Sequence, residues 1–437
     1  MTGTSQTTTS ASQTTTSATP PSEASATPPS EASTSPTSEA SATPTSEASA
    51  TPTSEVSAAA LPIPLFDLRL EEEDLQAVAQ TLRSGWLTMG PRTEEFEQAF
   101  AKQLGVRHAV AVSSCTAALH LAYLAAGVGP GDEVIVPSYT FAATASAVMY
   151  CGATPVFAEV IGPQDLSIDP EHVEELISER TKAVVAVHFA GYPAPVDRLK
   201  QLCDKHGLVL IEDAAHAPSA TLQGRKLGTW GLAGAFSLFS NKILSVGEGG
   251  VLTTDSDEVA KLGRRLRSQA MTSGTWDRHS GRTDSYDVVG LGFNYRIDEP
   301  RSALGLSRLG RLEADIENRR ALTRAYRERL AGHSGLTVPF TDEGVSDSCC
   351  YVMPVLVRDA AVRNQLRVRL REQHGVQTSI LYPAIHRFTA YRERFPGVSL
   401  ARTEAVSDCE ITLPLFPHMT MEQLERVVRA IEQEIGG

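Results

Sequence analysis

The stretch Phe236 to Gly250, FSLFSNKILSVGEGG, decides how this chain is read. It sets one lysine, Lys242, between a short apolar run and a glycine-rich turn. Upstream, Val209 to Asp213 (VLIED) reads as a buried strand that ends in an aspartate. Pyridoxal 5'-phosphate (PLP) chemistry requires a lysine and an aspartate in one pocket, and neighbouring strand ends deliver such a pair. The lysine forms a Schiff base with the cofactor aldehyde. The aspartate pairs with the pyridinium nitrogen and keeps it protonated, so the ring acts as an electron sink. Lone lysines and buried aspartates are common, so the reading rests on the segments around them.

Working outward, strands alternate with helices from Arg107 to about Thr254. Val110 to Val112, Glu133 to Val136, Pro155 to Phe157, Ala183 to Val187 and Val209 to Glu212 are strand candidates. Thr116 to Ala126 and Pro195 to Lys205 read as helices. This alternation predicts a largely parallel sheet covered by helices on both faces. Ligands of such sheets sit beyond the carboxyl ends of the strands. Ser114, Asp213 and Ser237 all fall at or just after such ends. From Asp298 to Leu330 the pattern is long, charged and helical. It leads to a smaller domain with strand signals at Tyr351 to Val357 and Thr378 to Tyr382, and helices at Ala361 to His374 and Met421 to Ile435.

Several residues near the predicted strand ends have two readings. Ser113-Ser114-Cys115-Thr116-Ala117 opens a helix, whose unpaired first N–H groups suit a phosphate, or it is an ordinary N-cap. Ser237 adds a hydroxyl to the same phosphate, or is a satisfied strand serine. Phe141, in Tyr139-Thr140-Phe141, is a ring to stack on the cofactor or a piece of core. His216 follows Asp213 by three residues, near the cofactor or structural. Asn294 and Arg296, after Gly292, offer an amide and a guanidinium to anions, or line a helix-entry loop. Glu248 is an acid/base group or a turn-stabilising carboxylate. The chain has no GxGxxG after a strand and no GxxxxGK[ST], which leaves nucleotide-cofactor oxidoreductases and P-loop enzymes without support.

The first sixty of the 437 residues differ from the rest. They are almost entirely Ser, Thr, Ala, Pro and Glu, with a unit close to PPSEASAT recurring from Pro20. Such a segment cannot bury enough apolar surface to offset its ordering entropy and is expected to be disordered. A solvated tail, or an overextended start, is favoured over a mucin-like stalk, and the segment has neither the basic start nor the apolar core of a signal peptide. Its five Glu, with no Lys or Arg, take −5 of the net charge of −13 and leave −8 for the remainder. That modestly acidic body argues against nucleic-acid binding. No run of eighteen apolar residues occurs, so no membrane span is expected. The six cysteines form no CxxC pair and have no His at metal spacing, which reads as free thiols in a reducing, cytoplasmic compartment. Adjacent Cys349 and Cys350 are a reactive pair or, as favoured, ordinary packing.

Taken together, the segments resemble the DegT/StrS family of PLP-dependent sugar aminotransferases. The likeness runs from about Ile63 to the C-terminus. It is carried by SCTAALHLAYLAAGVGPGDEVIVPSYTFAATASAV, GATPVF, TKAVVAVHFAGYP, VLIEDAAHAPSA, FSLFSNKILSVGEGG, GFNYRIDEPRSALGLSRL and LPLFP. The resemblance implies the type I aminotransferase fold. A large PLP domain over residues 61–315 would carry a mostly parallel seven-stranded sheet, with a smaller α/β domain over residues 316–437. It implies Lys242 as the Schiff-base lysine and proton carrier, and Asp213 as the pyridinium partner. His216 would lie near the cofactor, Thr116, Ala117 and Ser237 on its phosphate, and Phe141 over its ring. Asn294 resembles an asparagine that reaches the phosphate from the neighbouring subunit, so a homodimer with shared sites is implied. The implied substrates are a nucleotide-linked keto sugar and glutamate or glutamine as donor. Trp86, His279, Arg296, Tyr382 and His386 are the substrate-facing candidates on resemblance and chemistry. The pathways implied are amino-sugar biosynthesis for a glycosylated natural product or for a surface polysaccharide. Tyr192 departs from the glutamine of many members. Relatives with histidine in place of the lysine act as dehydratases, so Lys242 favours transamination. A related dehydratase, a cyclitol aminotransferase and a non-catalytic PLP- or sugar-binding regulator are the alternatives.

Overall fold

A computed structural model of the chain describes residues 62–435. The repeat-rich first sixty residues, expected to be disordered, lie outside the described residues.

Seven strands form the main sheet: β1 (His108–Val112), β2 (Glu133–Pro137), β3 (Thr154–Ala158), β4 (Thr181–Val187), β5 (Val209–Asp213), β6 (Ala233–Ser237) and β7 (Gly250–Thr254). Their order is β1-β7-β6-β5-β4-β2-β3. Only β7 runs against its neighbours. The largely parallel sheet expected from the sequence is thus present.

The apolar strands are buried on both faces, and alternate residues divide between two cores. Val110, Val134, Val185 and Ile211 pack on one side, and Ala111, Ile135, Val184 and Leu210 on the other. Such strands carry few polar side chains along their length. Function is therefore left to their ends.

Those ends converge. The carboxyl ends of β1, β5 and β6 lie on the edge where antiparallel β7 begins. Register pairs Val112 and Ser237 with Gly250, and Asp213 with Ala235 and Val187. The helix Cys115–Ala125 starts at this edge, capped by Ser114, whose side chain accepts from the Ala117 N–H at 3.1 Å.

A second sheet of three antiparallel strands, β8 (Leu336–Thr337), β9 (Met353–Val357) and β10 (Glu410–Leu413), belongs to the C-terminal part. The helices expected there are present as Ala360–His374 and Met421–Ile435.

Two expectations need correction. The pattern from Asp298 to Leu330 is two helices, Glu299–Leu309 and Leu312–Leu330, because the chain bends at Gly310 and Arg311. Glycine is a poor helix former, and Arg311 (φ −112°, ψ 4°) leaves helical geometry. Thr378 to Tyr382 is not a strand. It makes a single bridge, from Ser379 to Thr412. Beyond that bridge the Leu381 N–H donates to the Glu410 carboxylate at 2.8 Å rather than to a neighbouring strand, and the chain leaves the sheet toward the site.

Candidate active site

A cavity of about 350 Å³ opens at the convergent strand ends. Lys242 and Asp213 both line it. Lys242 is held by its turn, whose main chain closes with its own N–H on the Phe239 carbonyl at 2.8 Å. Its Nζ lies 4.4 Å from the Tyr351 ring centroid. Burial lowers the amine to about 8, against the upward pull of Cys115 and Asp213. A tenth or so of such an amine is neutral at pH 7, against a vanishing share for a solvated lysine.

Asp213 sits at the end of β5. Burial pushes its carboxyl up. The Thr144 hydroxyl (2.7 Å), the Ala215 N–H (3.2 Å) and the Lys242 charge oppose that shift. A cationic N–H brought to this carboxylate would hold it ionised.

His216 lines the cavity, with Nε2 3.0 Å from the Tyr382 hydroxyl and its ring stacked on Tyr351 at 4.3 Å. Burial and Lys242 keep it well below the usual histidine range. It therefore stands as a neutral ring, with Nδ1 buried and unpartnered. Phe141 lines the cavity at 59% exposure, its ring 5.8 Å from that of Tyr382. Thr116, Ser237 and Glu248 line it as well.

The remaining candidates lie elsewhere. Ala117 is turned to its own cap, as an ordinary N-cap would have it. Asn294 is exposed and outside the cavity. Arg296 lines another cleft beside Arg264 and Arg267, with Nη1 buried and unpartnered. Trp86 and His279 pack on Trp276 in a third cleft, with Trp86 centroids 4.9 Å and 4.5 Å from the other two rings. His386 is buried between the Ser138 hydroxyl (2.6 Å) and Glu404 (3.1 Å), away from the cavity, as a structural histidine would be. Cys349 and Cys350 are fully buried, and burial pushes both thiols up, so they pack rather than react.

Sequence reasoning missed Thr144, Tyr351, Cys115 and Asn241. Asn241 adjoins the lysine and was within reach of local reading. Tyr351 comes from the start of the second sheet, and nothing in its local pattern points to the first.

These residues fit PLP. The cavity has a buried carboxylate for a ring nitrogen, a desolvated amine for an aldehyde and an aromatic ring at its mouth. The helix start, with Thr116 and Ser237, offers hydroxyls to a phosphate. Among the described residues no cluster of His, Cys, Asp or Glu suits a metal ion.

A doubly covered, mostly parallel seven-stranded sheet with this pair at its strand ends is that of a type I PLP-dependent aminotransferase. The chain belongs to the DegT/DnrJ/EryC1/StrS aminotransferase family, whose model matches residues 68–432. It is 38% identical over 371 residues to the spore coat polysaccharide biosynthesis protein SpsC of Bacillus subtilis (strain 168), covering 84% of this chain and 95% of that one. Among solved structures it resembles DesV of S. venezuelae, in complex with a ketimine intermediate (35% identity, TM-score 0.78), over 85% of this chain and 98% of that one. It also resembles Helicobacter pylori PseC, an aminotransferase of pseudaminic acid biosynthesis (28% identity, TM-score 0.79), over 86% and 99%. The chain is an enzyme, a PLP-dependent sugar aminotransferase.

Proposed function

We propose that this enzyme moves the amino group of glutamate or glutamine onto a nucleotide-linked keto sugar. The observation that carries the reading is the presence of Lys242 and Asp213 on one cavity at neighbouring strand ends. The relatives support the sugar class, since SpsC and PseC are named for polysaccharide and pseudaminic acid biosynthesis.

In this reading Lys242 and Asp213 would hold PLP, with Thr116 and Ser237 at its phosphate, and His216 and Phe141 beside its ring. The bound cofactor supplies an electron sink that stabilises negative charge on the substrate carbon. The Lys242 amine would bind the cofactor aldehyde and, when free, would carry a proton to and from that carbon. An amine lowered to about 8 by burial is suited to both directions near neutral pH. Asp213 would hold a protonated ring nitrogen. The burial that raises it also strengthens its pull on a cationic N–H. Tyr382, on the wall, and Phe141, at the mouth, restrict water around the reacting atoms.

Asn294, exposed and not among the residues lining its own cavity, is free to serve a homodimer in which it reaches a neighbour's phosphate, with Arg296 toward substrate. Trp86 and His279 are assigned to the sugar nucleotide on their clustered rings. A division at residues 61–315 and 316–437 fits the two sheets, which end at Thr254 and begin at Leu336. A cytoplasmic location agrees with six free cysteines, and among the described residues no helix is long and apolar enough to cross a membrane.

The test is product analysis. Purified enzyme, PLP, glutamate and a panel of nucleotide 3- and 4-keto sugars are expected to yield an amino sugar and 2-oxoglutarate. A deoxygenated, amine-free product would assign the chain to the dehydratases.

A further inference from the structure

One buried carboxyl takes no part in holding the cofactor. Glu410 opens β10 and is fully buried. Its surroundings in the second sheet are apolar. Ile411 and Leu413 share its strand, and Leu356 of β9 stands opposite. Burial pushes its carboxyl up to about 8, against the Thr412 hydroxyl, the Leu381 N–H and the charges of Arg363 and Arg367. Those two guanidinium groups bond elsewhere, Arg363 to the Ser407 carbonyl at 2.8 Å and Arg367 to the Thr378 carbonyl at 3.2 Å. An alkyl side chain at this place would carry no such desolvation cost.

What Glu410 holds is the wall of the cofactor cavity. It accepts from the Leu381 N–H at 2.8 Å, and the Tyr139 hydroxyl donates to the Leu381 carbonyl at 2.7 Å. The next carbonyl, that of Tyr382, accepts from the Ser407 hydroxyl at 3.2 Å. Both polar groups of one main-chain residue are thus tied by side chains from distant parts of the chain. Leu381 and Tyr382 line the cavity. The Tyr382 hydroxyl lies 3.0 Å from His216 Nε2, the His216 ring stacks on Tyr351, and the Lys242 amine sits over that Tyr351 ring. A shift of the Leu381 backbone therefore reaches the lysine through Tyr382, His216 and Tyr351.

We propose that Glu410 is a positioning residue of the aminotransferase: from the second sheet it fixes Leu381, and so sets Tyr382 against His216 beside Lys242. The inference rests on the PLP reading of that cavity and extends it to a residue that touches neither cofactor nor substrate. The hold depends on an acceptor. A carboxyl or an amide oxygen accepts the Leu381 N–H, and an alkyl group of similar size does not. With the carboxyl at about 8, the neutral amide of glutamine is a close copy of its form near pH 7.

The test uses the full-length, PLP-loaded enzyme. Glu410→Leu removes the acceptor and Glu410→Gln keeps it, with near-ultraviolet circular dichroism as the check on folding. The first readout is hydrogen exchange, by mass spectrometry, of the peptide that holds Leu381 and Tyr382. Exchange there should be about tenfold faster in Glu410→Leu, with β9 unchanged, and within a fewfold of wild type in Glu410→Gln. The second is the rate at which L-glutamate removes the visible cofactor band. It should fall about tenfold in Glu410→Leu and recover in Glu410→Gln. Tyr382→Phe has already lost the contact to His216, so in that background Glu410→Leu should cost no more than about a further twofold. A residue that only supports the fold would cost its full tenfold in both backgrounds.

Unchanged exchange in a folded Glu410→Leu overturns the inference. So does faster exchange with an unchanged rate, or a full loss on top of Tyr382→Phe. If wild type does not react with glutamate, the donor reading fails, and exchange alone decides whether Glu410 holds the wall. If Glu410→Leu does not fold, Tyr139→Phe takes its place. It frees the carbonyl of the same residue and must give the same faster exchange and the same small further loss with Tyr382→Phe, or the inference falls.

Discussion

Gly250 lies against the first turn of the helix that opens at Ser114. A β-carbon built on Gly250 would meet the Ser114 carbonyl carbon at 2.3 Å and the Cys115 nitrogen at 2.5 Å. The last glycine of GEGG is thus a contact requirement. It lets β7 pass beneath the helix start, where Ser114, Cys115 and Thr116 line the cavity. Gly250→Ala must push the two apart, at a cost of about 1–3 kcal/mol. Lower thermal stability together with weaker PLP affinity is expected. Loss of stability with PLP affinity intact would separate the helix start from the cofactor.

Thr144 donates its hydroxyl to Asp213 at 2.7 Å, deep in the protein. Thr144→Val keeps the shape and removes the donor. Losing a hydrogen bond to a buried carboxylate costs about 1–3 kcal/mol. The Asp213 carboxyl then rises further and holds a ring N–H less well. PLP titration of the apoenzyme should give a dissociation constant raised roughly tenfold, with Lys242 still able to react. An unaltered constant would remove Thr144 from the cofactor site.

The lowered amine of Lys242 makes a pH prediction. Its folded value, about 8, lies below the unfolded value of 10.5. The unfolded chain therefore binds the extra proton between these values, and stability from this group rises with pH across that window. Below about pH 8 the buried charge costs about 3 kcal/mol, and above about 10.5 the cost is gone. Apo wild type should gain on apo Lys242→Met as pH is raised from 8 to 10.5, by differential denaturant melts. A constant difference between the two would mean that the lysine is solvated.

His386 has a structural assignment that can be checked against its substrate candidacy. It joins Ser138 to Glu404 across chain segments far apart in sequence. His386→Ala should cost about 1–3 kcal/mol of stability and leave the KM for the keto sugar within a fewfold. A large rise in KM with stability unchanged would return His386 to the substrate site.

What could be read in the chain follows the range of the forces. Asp213, Thr116 and Ser237 are legible because each lies at a strand or helix end, and Lys242 because it lies in the turn that follows one; such ends and turns are written in a few consecutive residues. Thr144 and Tyr351 are not. Thr144 meets Asp213 across 69 positions, and Tyr351 arrives from the C-terminal part to lie under Lys242. Such contacts depend on how helices and sheets pack. The burial of Arg308 and Arg319 was hidden for the same reason, since a helical arginine reads as solvated until its packing is seen. The break at Gly310 was within reach. The strand expected at Thr378 to Tyr382 was not, because Glu410 diverts the backbone from across the sheet.

The measurement that bears most directly on the central claim is the visible absorbance of the purified protein, before and after L-glutamate is added. The account predicts a band from PLP linked to Lys242, absent in Lys242→Ala, that shifts to that of the aminated cofactor when glutamate is added. A protein that shows no such band after incubation with PLP, or a Lys242→Ala variant that still transaminates, would contradict it.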